Sequence, residues 1–189
     1  AQEKGSTALN LLVRAFFLFA MVTGSLGGML SAFDISYAKW AFFLTAFLVS
    51  LYCSSLYLAA WWENTGYILI FLVVLNAGIS LRTYISSGFY GILNDMAASA
   101  AAFFGSDAQV SYVEQVADHS LAISIAMCFF ALIGCIITNG LISRKAKYMM
   151  AAVPSTLFLL LPVYLELEPS GIYTVLFAAG LLTVYIFRH

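Results

Sequence analysis

Few side chains in this sequence could do chemistry, and their spacing brings little of it together. His119 follows Asp118, but a catalytic histidine needs a nucleophile and an orienting acid beside it. The three cysteines, Cys53, Cys128 and Cys135, sit in apolar runs where a thiol stays protonated and inert. They show neither the CxxC spacing nor the histidine neighbours of a metal site. Glu166 and Glu168 are two carboxylates in a turn, a pattern that is ordinarily just solvated. Ser54-Ser55, Asn64-Thr65 and the glycines near Gly88 fit neither a phosphate loop nor a nucleophile elbow. No catalytic, cofactor-binding or metal-ligating residue is therefore expected, and no cofactor. The remaining candidates for lipid or partner contact are polar groups among apolar ones: Arg82 with Tyr84 and Tyr90, Asn76 and Asn139. Arg82 could meet a headgroup phosphate or pair with Asp95, although an arginine at a helix end usually just snorkels. Asn76 is expected to bond a neighbouring helix, because an amide in hydrocarbon wants a partner.

The elements that must position these groups follow from composition. Of 189 residues, 63% are hydrophobic and 9% charged, and the mean hydropathy is +0.97. Soluble domains carry about 25% charged residues, so this chain cannot coat a water-facing surface. No basic patch points to nucleic acid. The partner expected from composition is the lipid bilayer. The run 121–142 carries no charge and reaches the ~20 residues a helix needs to cross a bilayer. Arg144, Lys145 and Lys147 follow it and should stay on the cytoplasmic side.

Alternation from that helix predicts an all-α, polytopic membrane protein of a single domain, residues 1–189. Six spans are expected, at 9–33, 38–60, 67–81, 121–142, 148–165 and 172–187, with both termini cytoplasmic. Lys4, Arg14, Arg144, Lys145, Lys147 and Arg188 fall on the inner side, Arg14 snorkelling to the headgroups. The outer side takes Lys39 and Arg82 with Asp34, Asp95, Asp107, Glu114, Asp118, Glu166 and Glu168. Trp61-Trp62 reads as an interfacial anchor and 63–66 as a turn. Segment 82–120 reads as extracellular or interfacial, with one or two helices lying along the membrane surface. Pro162 should kink or end the fifth span. Ala20, Gly24, Gly28 and Ala32 recur every four residues in the first span, a small-residue ladder for close helix packing, more readily within the chain than between chains.

Several segments resemble a known family: Leu9-Asn10-Leu11-Leu12-Val13-Arg14 with MVTGSLGGMLSAFDISY, then Asn64-Thr65-Gly66-Tyr67-Ile68-Leu69, Arg82-Thr83-Tyr84-Ile85-Ser86-Ser87-Gly88-Phe89-Tyr90 and Leu167-Glu168-Pro169. They are similar to the N-terminal transmembrane region of membrane-anchored transglutaminase-like proteins of Firmicutes-type bacteria. The resemblance implies a bacterial cell-membrane location. It also implies a non-catalytic anchor that positions an extracellular transglutaminase-like domain of the same polypeptide, whose Cys-His-Asp triad has no counterpart among these residues. The alternative expectation is a self-contained small transporter or lipid-binding subunit with a polar cavity near Asn76, Arg82 and Asn139. An intramembrane enzyme is the third and weakest, for want of an acid–base pair.

Overall fold

The computed structural model describes residues 2–58, 60–105, 111–142 and 148–186, with side chains from residue 8 onward except those at 60 and 61. Arg144, Lys145, Lys147, Arg188 and Asp107 lie outside the described residues. Among those described, every element is helical. The first rod is α1 (Gln2–Val22), a π-helical segment (Thr23–Gly27) and α2 (Gly28–Ala32). There follow α3 (Lys39–Ser55), α4 (Ala60–Ser80), α5 (Arg82–Phe104), α6 (His119–Leu141), α7 (Tyr148–Tyr164) and α8 (Gly171–Ile186).

Among the described residues, three helical stretches are long and apolar enough to cross a membrane: Ala8–Ala32, Trp62–Ser80 and His119–Leu141. The other expected spans are shorter. α3 and α7 have 17 residues each and α8 has 16, roughly 25 Å against a hydrocarbon core of about 30 Å. The architecture is that of a membrane-type helical bundle, without six full-length spans among the described residues.

α6 is the hub, with α1, α3, α4, α5 and α7 all packed on it. Its small buried residues Ala122, Ala126, Ala131 and Cys135 let those neighbours approach, while Ile123 and Met127 fill the space between. In the first rod, the glycines of the π-helical segment permit a different close approach. Gly24 abuts the backbone of Phe177 in α8, and Gly27 lies against the Tyr173 ring. Gly28 faces Leu159 of α7, Ala20 is fully buried near Gly180, and Ala32 is half-buried. The ladder thus packs against helices of its own chain. At the end where α2 stops, Tyr37 and Tyr173 share a buried hydrogen bond of 2.8 Å. The Ser170 amide donates to Ser31 Oγ at 3.0 Å. Asp34 and Glu166 take left-handed backbone (φ 54° and 56°) to turn the chain there. α7 ends two residues past Pro162, whose carbonyl accepts from the Leu167 amide at 2.9 Å.

One expectation requires correction, and another gains a tertiary contact. Residues 63–66 are not a turn; α4 runs through them, and the chain turns at 56–58 instead. Buried Leu56 lies against Gly66, and Tyr52 donates to the Gly66 carbonyl at 2.9 Å, so tertiary packing overrides the weak helix propensity of Asn-Thr-Gly. The segment 82–104, expected as one or two helices along the membrane surface, is a single helix packed lengthwise on α6. Helical hydrogen bonds cross the α4–α5 junction at Leu81 (Leu81 amide to Ala77 carbonyl and Ile85 amide to Leu81 carbonyl, 2.9 Å each), so α5 continues onward from α4. It packs antiparallel to α6, Gly88 against Ala122 and Ala126, and Gly91 against His119. The missing Cβ atoms at those two glycines make lengthwise contact possible, and burying that face outweighs exposing it at an interface.

Candidate functional site

Polar side chains gather at the two ends of α6, and an apolar groove runs between. At the C-terminal end, Arg14 of α1 is only 9% exposed and points into the bundle. Its Nε donates to Asn139 Oδ1 at 2.9 Å, and its Nη2 to the carbonyls of Asn139 and Ile142 at 3.1 Å each. The guanidinium lies 3.5 Å from the centroid of the Tyr57 ring. Asn139 Nδ2 donates to the Tyr67 hydroxyl at 3.1 Å, and that hydroxyl meets Tyr57 at 3.0 Å. A cation here completes the terminal carbonyls of α6 and complements the negative end of its dipole. The expected snorkelling of Arg14 to the headgroups is therefore overturned: interior acceptors and an aromatic face satisfy the charge without leaving the bundle.

At the N-terminal end, Asp118 caps α6 through the Leu121 amide at 2.9 Å. His119 lies between two carboxylates, with Nδ1 2.7 Å from Glu114 and Nε2 3.2 Å from Asp95. They use opposite sides of the ring, so the three cannot converge on one ion, and among the described residues no group of three could hold a metal. The segment before α6 is fastened to α5 elsewhere as well. Asn94 accepts from the Tyr112 amide at 2.7 Å and donates to Glu114 at 3.1 Å, and Ser87 accepts from the Val116 amide at 3.1 Å. Tyr90 stacks on Tyr112 with centroids 5.4 Å apart.

His119 stands outside the charge-free run that begins at Leu121. The hydrogen bond to Glu114 raises its pKa above the imidazole value of 6.5, partial burial opposes that, and Asp95 adds to the rise. With the folded value raised, the stabilisation is complete below about 6.5 and is lost as pH climbs through the raised value. Amide hydrogen exchange in 112–118, corrected for intrinsic rate, should therefore accelerate as pH rises above 6.5. In His119→Gln it should be fast throughout; wild-type exchange unchanged between pH 6 and 9 would contradict this.

Between these ends lies a groove of about 670 Å³. One wall is α5 (Phe89, Ile92, Leu93, Met96) and the facing wall is α7 (Leu157, Phe158, Leu161), with α6 and the π-helical segment as the floor. Exposed lining residues such as Leu157 and Phe158 open it sideways. Among the described lining residues the hydroxyls belong to buried Ser25, Thr138 and Ser155, and Ser25 donates to the Val22 carbonyl at 3.3 Å.

The residues singled out from sequence do not form one site. Asn139 is buried in the Arg14 network, whereas Asn76 and Arg82 are exposed on α4 and α5. Tyr84 is exposed, and Tyr90 holds Tyr112. Among the described residues the three side chains expected to share a polar cavity do not converge: Asn139 spends its amide on Arg14 and Tyr67, while Asn76 and Arg82 face outward. Sequence reasoning missed Tyr57, Tyr67, Asn94 and Ser87 as partners. Arg14, a cation near the start of an apolar run, stood out in the sequence, but its hydrogen-bond acceptors lie more than a hundred residues on and nothing local names them. Compared with protein families, curated proteins and solved structures, the chain matches none.

Proposed function

We propose that this chain is a multi-pass helical domain of a bacterial cell membrane that holds one apolar chain of a membrane lipid in the groove between α5 and α7. The observation that carries this is the groove itself. At about 670 Å³ it falls within the range of roughly 300–1,000 Å³ typical of ligand sites. Its walls are apolar, and water does not stay where it lacks two to four polar partners. Lateral opening gives a lipid tail direct access. One side of the groove is the π-helical segment, a departure from α-helix often found at functional sites.

In this reading α3, α7 and α8 also cross, giving six spans with α5 as an added outward rod. Exposed Trp40, Tyr164 and Tyr185 lie near the ends of those helices, as interfacial aromatics do. Asp34, Glu114, Asp118, Glu166 and Glu168 share one end of the bundle, which supports an outer face there and cytoplasmic termini.

Purified in mild detergent, the chain should retain one lipid per copy by native mass spectrometry. Leu93→Trp with Leu157→Trp, one indole from each wall, should lose it with helicity unchanged. Wild-type protein free of lipid would end this reading.

The family resemblance supplies a second reading, in which the bundle anchors a transglutaminase-like domain elsewhere on the polypeptide. The segment 111–118 favours it: α5 clamps it in place, yet it presents exposed Tyr112 and Val113. Removing that segment from a longer polypeptide without changing its assembly or activity would refute the role.

A further inference from the structure

α4 is the least covered of the long apolar helices. Only 11% of its stretch Trp62–Ser80 is buried, against 56% of Ala8–Ala32 and 44% of His119–Leu141. One row of residues joins it to the bundle. Tyr67 bonds Asn139, Ile70 and Val74 lie beside Ile133 and Ile137, and Gly78 faces Phe129. The opposite row is Leu69, Leu72, Asn76 and Ile79, all exposed. Its steps of three, four and three are those of a coiled-coil seam, with asparagine at an a-type position.

The depth of Asn76 makes that amide a problem. Tyr67 is level with Asn139, and Gly78 with Phe129. Asn76 is therefore at the height of Ala131, the midpoint of the charge-free run 121–141. It has no hydrogen-bond partner among the described residues. Lipid tails offer neither donor nor acceptor. A side chain this short cannot reach either interface, roughly 15 Å away. The groove lined by Ile70 and Val74 lies on the opposite side of α4, so it offers the amide nothing. The partner must come from another molecule.

A second copy of this chain meets each requirement. Two copies inserted the same way bring their α4 helices parallel about a two-fold axis normal to the membrane. A primary amide both donates and accepts, so two asparagines on that axis satisfy each other. The seam carries no charge, so nothing in it repels its own image. A lone a-position asparagine is also the device that fixes register and oligomeric state in parallel coiled coils.

We infer that α4 is the contact face of a parallel homodimer in the bilayer, centred on Asn76 of each copy hydrogen-bonded to Asn76 of the other. The inference is independent of the lipid groove, which lies between α5 and α7. Lipid is as apolar as leucine, so the amide pair rather than hydrophobic burial supplies the specificity.

The full chain, labelled at its amino terminus with donor or acceptor dye and reconstituted in phosphatidylcholine–phosphatidylglycerol vesicles, provides the test. Energy transfer should follow a dimerisation isotherm as protein density rises. Asn76→Leu should weaken association by roughly tenfold, and Asn76→Gln should largely preserve it. Both replace an exposed residue, and unchanged circular dichroism will show the fold intact. Ile79→Cys in the seam should form a symmetric disulfide, and Val73→Cys on the flank should not. A chain monomeric at every density, an Asn76→Leu variant as associated as wild type, or cross-links from Ile79→Cys only to a different protein would each overturn the inference.

Discussion

Arg14→Met should be the most destabilising replacement of any single charged residue, lowering unfolding free energy by about 3–4 kcal/mol. Methionine matches the length and apolarity of the arginine stem but leaves Asn139 Oδ1 and the carbonyls of Asn139 and Ile142 without their donor. Removing a buried charge would by itself be favourable. That gain appears in full only when the partners become apolar too, and two of these three are backbone. The orphaned acceptors therefore win. The contact with Tyr57 is lost as well, worth roughly 0.5–2 kcal/mol. Arg14→Lys should recover less than half, since an ammonium cannot divide its donors among three acceptors in a plane and stack on a ring at once. Reversible unfolding in bicelles would measure both. An Arg14→Met protein as stable as wild type would mean that water or neighbouring carbonyls rearrange to replace the guanidinium.

Gly88→Leu should come close behind, at about 3 kcal/mol. A side chain at Gly88 would run into the carbonyl of Ala122 in α6 and the methyl of Ala126. The first of these is backbone in the first turn of α6, held by the Asp118 cap, and cannot step aside as a flexible side chain could. The substitution should pry α5 from α6, raise hydrogen exchange through 82–104 and free His119 from Asp95. Gly78→Ala is the matched control. Its added methyl would meet only the Phe129 ring at an ordinary 3.7 Å, and helix propensity gains roughly 0.8–1.0 kcal/mol. It should be neutral or stabilising. If both glycine variants behave alike, close packing at Gly88 is not what joins the two helices.

These two sites also mark how far the sequence could be read. The all-helical, membrane-type architecture is legible in the long uncharged runs, because 9% charged residues cannot cover a soluble surface. The turn positions at Asp34 and 166–170 are legible too, from short polar breaks between apolar runs. Arg14 is not, because a cation near the start of a span can reach headgroups or interior carbonyls equally well. Its acceptors are fixed only when α6 packs beside it. Asn76 and Asn139 look alike in sequence, each an amide within a span. Packing alone turns one into the core and leaves the other outside, since nothing in local pattern says which face of α4 meets α6. α5 concealed its contact face for a related reason. Its mixture of serines, glycines and aromatics resembles a surface helix, yet Gly88 and Gly91 are the contact itself. Residues 63–66 carry the composition of a turn, and Leu56 and Tyr52 hold them helical.

The hydrogen bond between Arg14 and Asn139 joins residues 125 positions apart, and the ribosome makes them in that order. At about 5–20 residues per second, the first helix waits roughly 6–25 s for its counterpart to be synthesised. In that interval the Tyr57 ring is made well before Asn139, so the aromatic face is available to the guanidinium earlier than its acceptors on α6. All three of its hydrogen bonds wait for α6, so the first helix completes its polar contacts only after the greater part of the chain has been made.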